Sequence, residues 1–257
     1  MEFRNKIKKI IRKVLLPFAR VFRNLLTFAI APSLQEIRKI SLIDELYRVS
    51  ASESANYIYA KMPNAVIYRT KEELWASVFE QHHIAGLYLE FGVAKGKSIQ
   101  YLDILIRKKF LPKNKDTISI HGFDSFVGLQ EDWAGSIGAL KGAFTLGGEM
   151  PKVPKTIRLH KGYFEQTLPP FLAQQEKPIS FIHLDADTYK STKYVLNQTV
   201  SRFRVGTILI FDEYLVYPGW KNGEYLAWQE LVDNFGIKYS YIGVAETGST
   251  SMIINHI

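Results

Sequence analysis

The chain has 257 residues, 47% of them hydrophobic and 13% aromatic, enough for one large core with an appendage. It contains no cysteine, which excludes a disulfide framework, a thiolate metal site and a cysteine nucleophile, and fits a reducing, cytoplasmic setting. The net charge of +8 sits almost entirely in the first 30 residues, where eight basic side chains face Glu2 alone; the near-neutral remainder gives a nucleic-acid-binding module little support.

In that first segment Phe3, Ile7, Ile10, Ile11, Val14, Leu15 and Phe18 recur at helical spacing with Lys and Arg between them, so residues 1–32 read as a basic amphipathic arm, kinked at Pro17. The longest uncharged stretch, Asn24 to Gln35, is 12 residues, short of the roughly 20 that span a bilayer, and charges interrupt every candidate secretory apolar region. Such an arm is expected to lie on an anionic membrane surface, peripheral on the inner face of the cell membrane. The alternative is packing against the body or a second subunit in a homo-oligomer. Residues 33–70 read as a helical N-terminal extension, with Ser41 and Ser52 as caps.

From residue 71 strands alternate with helices. Lys71 to His82 predicts a helix, Gly86 to Phe91 a strand, and Lys97 to Lys109 a helix opened by a glycine-bearing loop. Further strands are expected at Thr117 to Phe123, Thr156 to His160, Ile179 to Leu184 and Thr207 to Phe211, with Lys238 to Val244 and Ser251 to Asn255 as a closing pair. Short apolar runs separated by helices predict a parallel sheet covered on both faces, in one domain over residues 71–257.

Three constellations carry chemistry. Glu90, Gly92, Gly96 and Ser98 in YLEFGVAKGKS stand where a strand gives way to a helix; glycines there allow a tight turn and close ligand approach, as in many α/β proteins. Asp124, at the end of the next strand, either accepts ribose hydroxyls or caps the following turn. GVAKG lacks the spacing that admits a nicotinamide pyrophosphate. Asp185 and Asp187 in HLDADTY, with Asp212 and Glu213 in FDEY, end two strands expected to be neighbours. They are either the ligands of a divalent cation or solvated acids with one helix cap.

The combination LEFGVAKGKS, FDSFVGLQEDW, LDADTYKST and GTILIFDEY, over about residues 70 to 257, resembles the macrocin and mycinamicin O-methyltransferases, which methylate antibiotic sugars. The resemblance implies a Rossmann-like, seven-stranded class I methyltransferase sheet with the last strand antiparallel and helices on both faces. It also implies methyl transfer from S-adenosylmethionine to a hydroxyl, often on a sugar, with bound magnesium. Carried over, Glu90, Gly92, Gly96 and Ser98 line the methionine and ribose side, Asp124 and Ser125 the ribose, Tyr163 the adenine, and Asp185 the junction with the metal. Asp185, Asp212 and Glu213 match the metal ligands; the family usually has Asp in place of Glu213, which keeps the charge and adds a methylene.

A base must take the acceptor proton, and the candidates are His183, Asp187 and Tyr214, all near strand ends. Thr188 stands where catechol-type relatives place a lysine. Gly128 to Lys155 reads as a long loop over the site, and Trp133, Phe144, Tyr217, Trp220 and Tyr225 as candidate faces for a sugar ring. The expected activity is O-methylation of a sugar or glycan at the membrane surface. The alternatives are methylation of a diffusible macrolide sugar or phenol, with the arm serving oligomerisation, and a non-catalytic nucleic-acid module.

Overall fold

A computed structural model describes residues 41–81, 84–110 and 120–257. The basic arm, and with it the membrane and oligomer readings, lies outside the described residues. Residues Leu46–Ile257 form one compact unit, which holds the sheet and the site.

In chain order the elements are α1 (Leu42–Lys61), β1 (Val66–Tyr68), α2 (Lys71–Gln81), β2 (Leu87–Phe91), α3 (Lys97–Phe110), β3 (Ile120–Asp124), β4 (Ile157–Lys161) and α4 (Phe164–Ala173). There follow β5 (Ile179–Leu184), α5 (Tyr189–Thr199), β6 (Ile208–Phe211), α6 (Glu224–Phe235), β7 (Lys238–Ala245) and β8 (Thr250–His256). The described strands form one eight-stranded sheet in the order β1-β7-β8-β6-β5-β2-β3-β4. Strands β2 to β6 pair in parallel, and β8 runs antiparallel to β6 and β7. The sheet therefore has eight strands where seven were expected. The addition is β1, parallel to β7 at the edge, and its three residues are too short a run to read as a strand from sequence.

Strands β2, β5 and β6 are buried along their whole length, which explains their uninterrupted apolar sequences LYLEF, ISFIHL and ILIF. Side chains alternate between two cores. Leu89, Phe91, Ile182, Leu184, Leu209 and Phe211 pack with Leu168, Val195 and Trp228 of α4, α5 and α6. Tyr88, Phe181, Ile208 and Ile210 pack with Leu74, Trp75, Ile99 and Leu102 of α2 and α3. Glu90 and His183 continue this second set at period two and are register partners on β2 and β5.

Helix α4 contains Pro169 and Pro170, which hide it from a propensity reading; it forms because Leu168, Phe171 and Leu172 are buried against the sheet. Thr188 is the N-cap of α5, its hydroxyl accepting the Ser191 N–H at 3.4 Å, so a capping role explains the absence of lysine there.

Candidate active site

The carboxyl ends of the central strands open on a crevice of about 260 Å³ whose lining includes Gly92, Asp124, Ser125, Tyr163, Asp185, Asp187 and Glu213. A second cavity of about 670 Å³, lined by Lys71, Trp75, Ser98 and Tyr101 among others, shares Ala94, Phe144 and Asp185 with it. The two meet at Asp185.

The glycine turn explains how the loop after β2 can cross β5. Gly92 has φ +90°, and a Cβ there would stand 1.7 Å from the Asp185 carbonyl oxygen. Asp124 braces the same loop: its Oδ2 accepts the N–H groups of Val93 at 2.9 Å and Ala94 at 2.7 Å, and its Oδ1 accepts that of Phe126 at 2.7 Å. Asp124 thus caps the turn and also lines the crevice. Ser125 accepts the Val127 N–H at 3.2 Å. Glu90 and Gly96, expected on the donor's methionine and ribose side, line neither cavity. Gly96 faces Pro151 and Val153, and Glu90 is fully buried beneath the loop, accepting the Ser98 hydroxyl at 2.9 Å.

A chain of alternating charge runs across the α2–α3 face. His183, fully buried under Trp75, has Nδ1 3.1 Å from Glu90 Oε2 and Nε2 3.6 Å from Asp212 Oδ1, while Lys71 Nζ lies 2.9 Å from Asp212 Oδ2. Burial alone would lower the His183 pKa, but Asp212 and Glu90 outweigh it and push it up to about 10. Burial pushes the Glu90 carboxyl up against the pull of His183; with two carboxylates on one imidazole, the ion pair with a protonated His183 prevails. Burial would likewise raise Asp212, yet His183 and Lys71 hold it well below the usual carboxylate range. His183 is fully enclosed and lines neither cavity, so the crevice gives an acceptor hydroxyl no direct approach to it.

Tyr214 is no better placed as the base. It is 0% exposed, its hydroxyl bonds that of Tyr241 at 2.9 Å and accepts from Gln229 Nε2 at 3.1 Å, and burial, then Tyr241 and Tyr239, raise its pKa further. It belongs to a phenol cluster outside the crevice. Asp187, the third candidate, lines the crevice in a left-handed conformation (φ +58°), and burial, then Asp212 and Asp124, push its carboxyl up to about 7.

Two sets of side chains have ligand atoms within 4.8 Å of one another: His183, Asp185 and Asp212, and Asp185, Asp187 and Glu213. Each set holds an unsatisfied ligand atom, His183 Nε2 and Asp212 Oδ1, 3.6 Å apart, in the first and Glu213 Oε2 in the second; the second lies wholly in the crevice lining and is the better placed cradle for a cation. Burial, then Asp212, raises Asp185 well above its usual range, and burial, then Asp185 and Asp212, does the same to Glu213. Oε2 of Glu213 is buried without a hydrogen-bond partner, as expected of an acid awaiting a cation. Beneath it the fully buried Glu224 accepts the Glu213 N–H at 3.1 Å and fixes this loop. Lys71 and Glu224 escaped the sequence reading because each looks like an ordinary charge in the first turn of a helix.

Of the candidate ring faces, Trp133 and Phe144 line the crevice and Tyr217 packs against Trp133 at 5.4 Å. Trp220 and Tyr225 instead pack with Tyr57 and line neither cavity.

Residues 89–214 match a family model described as a methyltransferase domain. No curated protein matches the chain. Among solved structures, CalS11, described as a calicheamicin methyltransferase, is 20% identical, with 98% of this chain and 91% of that one covered and a TM-score of 0.55. The O-methyltransferase NovP is 18% identical over 72% of this chain and 80% of that one, with a TM-score of 0.53. An apo structure of CalS11, 22% identical over 71% of this chain and 76% of that one with a TM-score of 0.49, is described as a TDP-rhamnose 3'-O-methyltransferase. Residues 89–214, just under half of the chain, thus match a methyltransferase domain, and the described sheet has the fold of these solved methyltransferases.

Proposed function

We propose that the chain transfers the sulfonium methyl of S-adenosylmethionine to a hydroxyl of a sugar or glycan, with a divalent cation, magnesium, at the acids. The observation that carries this reading is the meeting of Asp185, Asp187 and Glu213 with the Asp124-braced loop in one crevice. Gly92, Asp124, Ser125 and Tyr163 would hold the nucleoside end of the donor, with Ser98 and Asp185 on its methionine side. The description of CalS11 as a sugar methyltransferase supports a sugar acceptor.

Asp185 and Glu213, with Asp187 alongside, would hold the cation. When bound, it polarises the acceptor hydroxyl and orients it for attack. Of the three expected bases only Asp187 lines the crevice, where a carboxylate oxygen would be placed to accept the acceptor's proton. Lys71 and His183 keep Asp212 anionic and fixed beside Asp185, so the protein presents a rigid acidic wall on that side. Isothermal titration with Mn²⁺ is expected to show one site, lost in the double variant Asp185→Asn/Glu213→Gln. Heat unchanged in that variant refutes the cation site.

The basic arm would hold the enzyme at an anionic membrane surface, where lipid-linked or nascent glycans are accessible. Among the described residues no helix is long and apolar enough to cross a membrane. Deleting residues 1–30 is expected to abolish cosedimentation with phosphatidylglycerol vesicles; an unchanged partition counts against the anchor.

A further inference from the structure

The loop between β6 and α6 brings Glu213 to the crevice and then turns through Val216, whose φ of +76° lies in the left-handed region. Among the described residues four other non-glycine residues share a positive φ, Ala94, Phe126, Phe144 and Asp187, and Val216 alone of the five is β-branched. A β-branched side chain avoids that region, and a residue kept there is held by its surroundings, most often at a functional site.

Three distant segments converge on this turn. The Val216 N–H donates to Ser54 Oγ of α1 at 2.9 Å, and the Glu213 N–H donates to Glu224 Oε2 of α6 at 3.1 Å. The Leu215 carbonyl faces the β7–β8 turn at Gly248, where φ is +103° and a Cβ would stand 2.3 Å from the Leu215 oxygen. Tyr214 and Leu215, between the two hydrogen bonds, are buried. Helix α1 is suited to this task by what it encloses: its fully buried residues are Ser50 and Ser54. Ser50 and Ser52 donate to the carbonyls of Leu46 and Arg48, four residues back, as helical serines do. Ser54, at 1% exposure, places its oxygen on the loop. Tyr57, almost one turn further, packs edge-on against Trp220 at 5.6 Å, so α1 meets the loop twice.

We infer that Ser54 is a positioning residue for the cation: by accepting the Val216 N–H it keeps the turn left-handed, and the turn keeps the Glu213 carboxylate beside Asp185 and Asp187. This rests on the cation reading above and extends the site to α1, which lies outside the matched residues 89–214. Ser54 acts only through the backbone of Val216. Without its oxygen, an unpaired N–H and the strain at Val216 both drive the Leu215–Val216 peptide toward an ordinary negative φ. The enclosed Tyr214 and Leu215 have no space to absorb that rotation, so it passes to Glu213, three residues upstream, and draws Oε2 away from the other two acids. The loops that Asp124 braces belong to β2 and β3, so binding of the donor nucleoside does not follow.

The test is calorimetric titration of full-length protein with Mn²⁺ and, separately and without metal, with S-adenosylhomocysteine. Ser54→Ala is expected to bind Mn²⁺ about tenfold more weakly, while Ser54→Thr, which keeps the hydroxyl, recovers most of the loss. Val216→Gly takes the left-handed turn without strain, so adding Ser54→Ala to it is expected to cost clearly less than in the wild-type background. Val216→Pro has no N–H and cannot take a positive φ; it is expected to lose Mn²⁺ as Ser54→Ala does with α1 untouched, which keeps the test decisive if Ser54→Ala does not fold. Affinity for S-adenosylhomocysteine is expected to stay within about twofold throughout, a split that general loosening of the fold would not produce. Mn²⁺ affinity unchanged in both Ser54→Ala and Val216→Pro, or a parallel loss of S-adenosylhomocysteine, overturns the positioning role and leaves the cation reading standing. Absence of Mn²⁺ binding in the wild-type protein sinks the cation reading and this inference with it.

Discussion

Replacing His183 with leucine is expected to lower the unfolding free energy by about 3–5 kcal/mol, the usual consequence of leaving a buried charge without its partner. Glu90 and His183 are both fully enclosed, and on the other side His183 faces Asp212. Leucine fills much of the space but strands the Glu90 carboxylate, which keeps only the Ser98 hydroxyl, and it leaves Asp212 to Lys71 alone. For a unit of this size the melting temperature should fall by roughly 10 °C. The double variant Glu90→Leu/His183→Leu should cost clearly less than the sum of the two single changes, because the stranded charge is then gone. Differential scanning calorimetry on the four proteins checks this; additive losses, or a single-variant shift under 2 °C, would contradict the charge chain.

Asp124→Ala is expected to weaken binding of S-adenosylhomocysteine by at least about 100-fold. The carboxylate accepts three backbone N–H groups, from Val93, Ala94 and Phe126, and these bonds shape both the turn after β2 and the turn after β3. Charge-assisted bonds of this type contribute about 1.5–3 kcal/mol each when lost singly, and the ribose contact disappears with them. Asp124→Asn keeps one acceptor oxygen and should fall between alanine and the wild type. Calorimetric titration of the three proteins gives the order, and equal affinities would remove Asp124 from the binding site.

The sheet was legible because burial on both faces forces long apolar runs, as in ISFIHL and TILIF, and because glycine must stand where the β2 loop crosses β5. The acids at the ends of β5 and β6 were legible for the same topological reason, since neighbouring parallel strands bring their carboxyl ends together. What the acids do was less so. Asp212 looks equivalent to Asp185 in sequence, and only the tertiary approach of Lys71, 141 residues earlier, separates them. His183 and Tyr214 carry titratable groups beside the site, yet one is locked between two carboxylates and the other turned into a phenol cluster. Side-chain direction at a strand end depends on what packs over it, and α1, α2 and α6 supply that from distant segments. Strand β1 and helix α4 were hidden by shortness and by Pro169 and Pro170.

The most direct test of the central arrangement is diffraction from crystals grown with S-adenosylhomocysteine and Mn²⁺. The account predicts an anomalous manganese peak among the carboxylates of Asp185, Asp187 and Glu213, with the adenosine in the same crevice beside Asp124 and Tyr163. Manganese elsewhere, or an adenosine outside that crevice, would contradict it.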